Sequence, residues 1–431
     1  MKRKIENTLS AWNRQKKPLP LMLLGARQTG KTYILEDFCK QNFDNYVYFN
    51  FFENADFSSF FQNSLNAGNI LSNIELYLGK KIDIESTVIF FDEIQECEQA
   101  IASLKFFAES TLPFKIVTAG SLLGVKLNRM ISPFPVGKVQ IEMLYPMDFE
   151  EFLWAVEETL LAENIKEHFF SNQPFPEIIH KKAIHLYKNY LCIGGMPASV
   201  KDFAEKQQDL LLTDNLIKDN ILTGYLADMT KYAEKIDAVK IHQIYRTMPA
   251  QLAKAQSKFM YKIVENGSNA EKYQTAIEWL LEANMLLRCS LINNIQTPLS
   301  AFVVNNFFKL YLSDVGLLTT LSRIKYNEIM QPNNSLFLGF LAENFVAQTF
   351  TANKIPLYYW HSGNRAEIDI VANLADGIIP IEIKSSRNVG SKSLGVYVEK
   401  FKPPYSIRIS SKNFGFENSI KSVPLYAASC I

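Results

Sequence analysis

The chain has 431 residues, more than one hydrophobic core usually organises, so two to four domains are expected, with an apolar content of 48% to fill them. Lys and Arg number 45 against 44 Asp and Glu, a net charge of +1, which excludes a global electrostatic drive toward nucleic acid, membrane surfaces or acidic substrates and leaves any such partner to a local patch. The five cysteines, Cys39, Cys97, Cys192, Cys289 and Cys430, are scattered and lack CxxC or metal-ligand spacing with the five histidines, the pattern of reduced thiols in a cytoplasmic protein.

The N-terminal basic run, Lys2 to Lys4 with Arg14, Lys16 and Lys17, reads as a solvated helix face. Pro18 to Ala26 is apolar but too short to span a bilayer, and it runs into a glycine loop rather than a cleavage site, so neither export nor membrane insertion is expected. Short apolar runs at Leu19 to Leu24, Tyr46 to Phe52, Thr87 to Phe91, Lys115 to Ala119 and Lys138 to Leu144 alternate with helical patterns, which predicts an α/β fold with a parallel sheet covered on both faces.

After Pro146, DFEEFLWAVEETLLAENIKEHFF carries apolar positions at helical spacing and few strand signals, and helices continue to about residue 230. Gly194, Gly195, Met196 and Pro197 punctuate them as a structural turn. From about 232 to 325 the order is helix, helix, two short strands near Met285 to Leu291 and Ala301 to Val304, then FKLYLSDVGLL, which suits a winged-helix module. Ile329 to Leu336 is turn-rich and polar at its centre, the best linker candidate. Beyond it a helix over Phe337 to Phe350 precedes strands near Leu357 to Trp360, Glu367 to Ala372, Ile378 to Lys384 and Ser406 to Ser410, a small α/β domain.

Residues 25 to 32, GARQTGKT, fit GxxxxGK(S/T) and lie between a predicted strand and a predicted helix, the context the motif needs. Gly25 and Gly30 let the backbone of Ala26, Arg27, Gln28 and Thr29 wrap around phosphate oxygens. Lys31 reaches the β- and γ-phosphates of ATP, and Thr32 ligates Mg²⁺. TVIFFDE at 87 to 93 is a buried strand ending in two carboxylates: Asp92 holds the Mg²⁺ and Glu93 polarises the attacking water. FKIVTAGS ends in Thr118 and Ser121, either of which suits contact with the γ-phosphate or the lytic water, although hydroxyls at strand ends also serve as caps.

Together GARQTGKT, FFDEIQ, the AGS strand end, a Gly-basic pair and LYPMDFEEFL resemble one branch of the AAA-type ATPases, and the later GGMP, EIDIV and IEIKSS extend the resemblance over nearly the whole chain. The resemblance implies a P-loop NTPase domain over 1–150 with the Ser121 strand between the P-loop and Walker B strands and Ser121 as sensor. It further implies a helical lid over 151–231, a winged-helix-like domain over 232–327 and a restriction-endonuclease-like α/β domain over 335–431. Where the family usually has Gly-Arg, this chain has Gly137 and Lys138, and lysine lacks the bidentate fork of an arginine finger. Arg129 is the nearby alternative, with a solvated surface position as its plainer reading. A homo-oligomer or a protein partner is an expectation from the resemblance alone.

The C-terminal strands carry a second candidate site. On AEIDIVA, Glu367 and Asp369 alternate with Ile368 and Ile370; on IPIEIKSS, Glu382 and Lys384 alternate with Ile381 and Ile383. If the two strands pair, Asp369, Glu382 and Lys384 converge as in the PD-(D/E)xK nucleases, with Glu343 on the preceding helix as the accessory carboxylate. Such a set binds Mg²⁺ and cleaves DNA or RNA. The plainer alternative is an apolar face backed by a salted solvent face. Residues 331 to 431 hold ten Lys and Arg against seven Asp and Glu, a mild +3 rather than a basic groove. Tyr358, Tyr359, Trp360 and His361 can stack on bases, but aromatic strands are more often core. The sequence thus carries two functional readings, an ATP-driven switch and an ATP-regulated nuclease, beside that of a slow-turnover nucleotide-binding scaffold.

Overall fold

The computed structural model describes residues 1–121, 134–232, 235–254, 258–331, 335–363, 366–385 and 392–431, so Arg129 lies outside the described residues. The chain divides into two compact units, Lys2–Tyr145 with Glu282–Asn284, and Met1 with Pro146–Leu281 and Met285–Ile431.

In the first unit α1 (Ile5–Asn13) is followed by β1 (Leu21–Leu24), α2 (Lys31–Asn42), β2 (Asn45–Asn50), α3 (Ala67–Leu78), β3 (Thr87–Asp92), α4 (Glu98–Glu109), β4 (Lys115–Gly120) and β5 (Gln140–Met143). The strand order is β2-β3-β4-β1-β5 and every neighbouring pair is parallel. Period-two alternation divides the apolar residues between the two faces. Val88 and Phe90 of β3 join Leu21 and Leu23 of β1 under α1 and α2, while Ile89 and Phe91 join Met22 and Phe49 under α3 and α4. Burial on both faces is why these strands read as continuous apolar runs rather than alternating ones. With β4 between β1 and β3, the strand order is the one the resemblance implies, and the ends of β1, β3 and β4 open on one edge, where parallel α/β sheets bind ligands.

The second unit begins with helices α5 (Phe149–Ala155), α6 (Thr159–Ser171), α7 (Glu177–Ile193), α8 (Pro197–Glu205), α9 (Asn215–Tyr232), α10 (Lys235–Ala253), α11 (Tyr261–Val264) and α12 (Ala270–Glu282). In DFEE, Asp148 accepts the Glu151 amide and Glu151 accepts the Asp148 amide, a capping box that starts α5. The GGMP turn is a close crossing of backbones. A Cβ on Gly195 would lie 2.0 Å from the Met147 carbonyl, and one on Gly194 2.3 Å from Asp314 Oδ1. The Gly195 amide donates to Asp314 Oδ2 at 2.6 Å, so the turn is fastened by a buried carboxylate.

The chain continues as β6 (Leu286–Ile292), β7 (Val303–Leu312), α13 (Val315–Leu321), α14 (Tyr326–Met330), α15 (Ser335–Ala352), β8 (Tyr358–His361), β9 (Glu367–Ile368), β10 (Ile370–Leu374), β11 (Gly377–Ile383), α16 (Lys392–Phe401), β12 (Ser406–Ser410), β13 (Gly415–Glu417) and β14 (Ile420–Pro424). One sheet has the order β10-β11-β12-β14-β13, the other β7-β6-β8-β9. Phe308 to Leu312, expected after the second short strand, are part of β7, which makes that strand ten residues long. The β6–β7 hairpin also continues into β8, which pairs parallel to β6, so the segments expected as separate domains over 232–327 and 335–431 share a sheet. In α12 the apolar face of Tyr273, Ile277, Trp279 and Leu280 is buried, so this helix packs. Tyr359 and Trp360 are core, with Trp360 against Tyr397 and Phe401.

A candidate nucleotide site and a carboxylate cavity

The loop after β1 is shaped by contacts that exclude most side chains. A Cβ on Gly25 would lie 2.2 Å from the Leu144 carbonyl, so only glycine admits the approach of the chain leaving β5. Gln28 (φ 63°) and Gly30 (φ 91°) turn the loop through the left-handed region. Lys31 is buried at the start of α2, and its Nζ donates to the carbonyls of Gly25 at 3.1 Å and Ala26 at 2.8 Å. Thr29 Oγ1 donates to the Ala26 carbonyl at 2.9 Å, while Arg27 and Gln28 are exposed. Arg3 departs from the solvated-face reading of the basic run: it is buried and donates to the carbonyls of Thr29 at 3.1 Å and Tyr145 at 2.7 Å, bracing the loop. Lys2, Arg14, Lys16 and Lys17 are exposed as expected.

At the end of β3, Asp92 is buried and receives a ring of donors. Thr32 Oγ1 donates to Asp92 Oδ2 at 2.9 Å, Tyr48 Oη to the same oxygen at 2.8 Å, and the Glu93 amide to Oδ1 at 2.9 Å. Burial raises the Asp92 pKa, opposed by the Tyr48 and Thr32 hydrogen bonds. Asn50, the parallel partner of Asp92 across β2 and β3, donates to Tyr48 Oη at 3.2 Å. Two hard oxygen ligands, Thr32 and Asp92, therefore meet beside Lys31, and this donor set fits a magnesium nucleotide.

Glu93 leaves the strand at φ 47°, a conformation that costs a side chain roughly 1–2 kcal/mol. Gln95 Nε2 donates to Glu93 Oε2, and Gln95 Oε1 accepts the Ser121 amide at 3.2 Å. Ser121 Oγ lies 3.4 Å from Glu93 Oε2. Glu93, Gln95 and Ser121 thus form a single network that ties the turn after β3 to the end of β4. Thr118, the other hydroxyl at this strand end, is buried, and its Oγ1 has no hydrogen-bond partner among the described residues. Lys138 forms an ion pair with Glu109 at 3.0 Å. Sequence reasoning missed Tyr48, Asn50, Gln95 and Arg3. The only available signals were polar residues at a strand end and a glutamine two places after the Walker B carboxylates.

In the second unit the predicted carboxylates meet several basic partners. β10 and β11 do pair, with Ile370 opposite Ile381. Asp369 and Glu343 line a cavity of about 200 Å³ together with Lys309, Tyr311 and Glu367. Lys309 Nζ lies 2.5 Å from Glu367 Oε1, and Tyr311 Oη donates to Glu343 Oε2 at 3.2 Å. Burial pulls the Lys309 pKa down, but Tyr311, Glu343, Glu367 and Asp369 outweigh it and hold the ammonium charged. Burial, and then Glu343, push the Asp369 carboxyl up to about 7, against the pull of Lys309, Lys384 and the Ile383 amide. Glu382 lies 3.4 Å from Lys384 Nζ and 3.4 Å from Arg408 Nε, and Lys384 also acts on Asp369. Among the described residues no group of three or more His, Cys, Asp or Glu is placed to hold a metal ion. Lys309 and Tyr311 were not anticipated: they come from β7, far from the acidic strands in sequence.

Residues 17–153 match the AAA domain family, and residues 184–328 and 338–428 match two domains of unknown function. None of the curated proteins matches the chain. Similar solved structures include a Walker-type ATPase of Pyrococcus abyssi, at 16% identity and TM-score 0.44 over 75% of this chain and 96% of that one. The ORC2 protein of Aeropyrum pernix follows at 11% identity and TM-score 0.37 over 77% and 94%. The RuvB Holliday junction branch migration motor of Thermotoga maritima is similar at 16% identity and TM-score 0.30 over 66% and 88%. With the family match, the parallel sheet order and the loop between β1 and α2 together, residues 17–153 are an AAA-type P-loop ATPase domain.

Proposed function

We propose that the chain binds ATP with Mg²⁺, hydrolyses it, and uses the cycle as a switch on a partner. The observation that carries this reading is the meeting of Thr32 and Asp92 at 2.9 Å, two residues from separate motifs whose shared chemistry is magnesium ligation. Magnesium ATP supplies the phosphoanhydride and the neutralisation of its charge. In this reading Lys31 moves from the Gly25 and Ala26 carbonyls to the phosphates, Glu93 orients the attacking water, and Ser121 senses the γ-phosphate. Gln95 holds the Glu93 carboxylate until that step. The partner is a protein, a second copy of this chain or a nucleic acid held by a local patch, because the net charge offers no general attraction. Five cysteines outside any disulfide support a cytoplasmic setting, and among the described residues no helix is long and apolar enough to cross a membrane.

Phosphate release from ATP by purified protein tests the reading. Lys31→Ala is expected to lower the rate by about 100-fold or more, and Glu93→Gln to retain ATP while losing about 100-fold or more in turnover. Hydrolysis surviving in Lys31→Ala would overturn it.

A second reading, an ATP-regulated nuclease, draws on Asp369 and Glu343 lining one cavity with Lys384 acting on Asp369. It requires strand cleavage with Mg²⁺ or Mn²⁺ that disappears in Asp369→Ala. An uncleaved panel of DNA and RNA substrates would leave that fold as a binding module.

A further inference from the structure

We propose a second ligand site in this chain, separate from the P-loop: a pocket in the helical part of the second unit that takes a small molecule bearing phosphoryl groups. The pocket has a volume of about 570 Å³, within the range of small-molecule sites. All of its lining residues fall between Cys192 and Asn327, inside the segment that matches a domain of unknown function over 184–328.

Its wall holds an ammonium with unfilled valences. Lys218 of α9 is 9% exposed, and its Nζ donates one bond, to the Cys192 carbonyl at 2.6 Å. An ammonium has three donors, so two remain without an acceptor among the described residues, and a buried charge left in that state is costly. Asp314 is the nearby buried carboxylate, but its oxygens are taken by the amides of Gly195 at 2.6 Å and Leu317 at 2.9 Å. No carboxylate among the described residues lies within ion-pairing distance of Lys218. Burial pulls the Lys218 pKa down, which an anion in the pocket would reverse.

The charge of the lining has the matching sign. Arg323 and Lys325, on the turn between α13 and α14, line the same pocket, and neither has an ion-pair partner among the described residues. Arg323 takes φ 54°, a backbone region that long side chains avoid. Asp219 is the single carboxylate in the lining, so three cations face one anion. Phosphoryl oxygens supply what these groups lack: several acceptors on one small, multiply charged centre.

The test is calorimetric titration of inorganic pyrophosphate into the full chain carrying Lys31→Ala, which removes the main phosphate contact of the P-loop. Saturable binding is expected, weakened about 10-fold or more when Arg323→Ala and Lys325→Ala are added, since the double variant removes two of the three cations that line the pocket. Lys218→Met is expected to abolish it. Arg323 and Lys325 are exposed side chains outside the core, so their double variant keeps the test valid if Lys218→Met fails to fold. Absence of binding at millimolar pyrophosphate, or binding unchanged in the Arg323 and Lys325 variant, overturns the proposal.

Discussion

Two carboxylate sites in this chain, one buried at Asp92 and one partly buried beside β7, are compensated in different ways. In the P-loop cleft the donors to Asp92 are the hydroxyls of Thr32 and Tyr48 and the Glu93 amide, neutral dipoles that stabilise the anion without cancelling its charge. In the cavity beside β7, Glu343, Glu367 and Asp369 face the ammonium of Lys309, a full positive charge supplied by the chain itself. A site compensated by dipoles keeps its attraction for an arriving cation, whereas one compensated by an internal ammonium has much of that attraction already satisfied. Similar acidic strand ends in the sequence therefore lead to different chemistry.

Lys309→Met is the strongest way to break this comparison. It leaves the cavity carboxylates without their counter-charge, and because the Lys309 and Glu367 side chains are 11% and 28% exposed, the loss is expected to fall below the roughly 3–5 kcal/mol of a fully buried pair. Urea unfolding of wild type and variant measures the loss. Asp92→Asn is expected to leave stability unchanged or slightly raised, because burial already disfavours the charged form of Asp92. Equal losses in the two variants would mean that both carboxylate sites depend on cations.

The unequal legibility of the two sites has the same origin. Phosphate binding is encoded locally: Gly25 to Thr32 lie in one turn, and Asp92 and Glu93 end one strand, so motif and buried strand sufficed to point to them. The parallel sheet was legible because its strands are buried on both faces and read as apolar runs. Tyr48 and Asn50 were not, since only the register of β2 against β3 brings them to Asp92. Arg3 was read as part of a charged helix face because its acceptors, the carbonyls of Thr29 and Tyr145, are distant backbone atoms with no side-chain signature. Lys309 and Tyr311 were hidden in an apolar strand, and their partners, Glu367 and Glu343, lie on other elements of the fold. The pairing of β6 with β8 across the turn-rich segment was not legible either, because composition carries no signal for strand register between distant segments.

The pH dependence of stability sharpens the comparison from the other side. Asp369 is pushed from the ordinary carboxylate range up to about 7 by burial and by Glu343, while Lys309, Lys384 and the Ile383 amide pull it down, and Glu367 is paired with Lys309. Between about pH 4 and about pH 7 the folded chain then holds a proton that the unfolded chain has released. The associated stability is complete below about pH 4 and is lost as the pH rises through about 7. The apparent unfolding temperature of the wild type is therefore expected to fall from about pH 5 to about pH 8, and Asp369→Asn to flatten that slope. Parallel slopes in the two proteins would show that Asp369 is ionised throughout.

The smallest expected effect concerns how the nucleotide site is held ready. Gln95 is 3% exposed and uses both ends of its amide, donating to Glu93 and accepting the Ser121 amide at 3.2 Å. It touches no reacting atom and acts by positioning the Glu93 carboxylate against the end of β4. Gln95→Leu preserves much of the volume and removes the hydrogen bonds of the amide to Glu93 and Ser121. It is expected to lower kcat for ATP hydrolysis about 10-fold, at the low end of what a positioned general base contributes or below it, with KM for ATP nearly unchanged. A purely structural role would instead lower thermal stability and raise KM with it, because Lys31 and Thr32, which bind the nucleotide in this reading, would be disturbed together. A change in kcat alone would place Gln95 between the water-orienting carboxylate and the sensing strand, a task for a neutral amide that can both donate and accept.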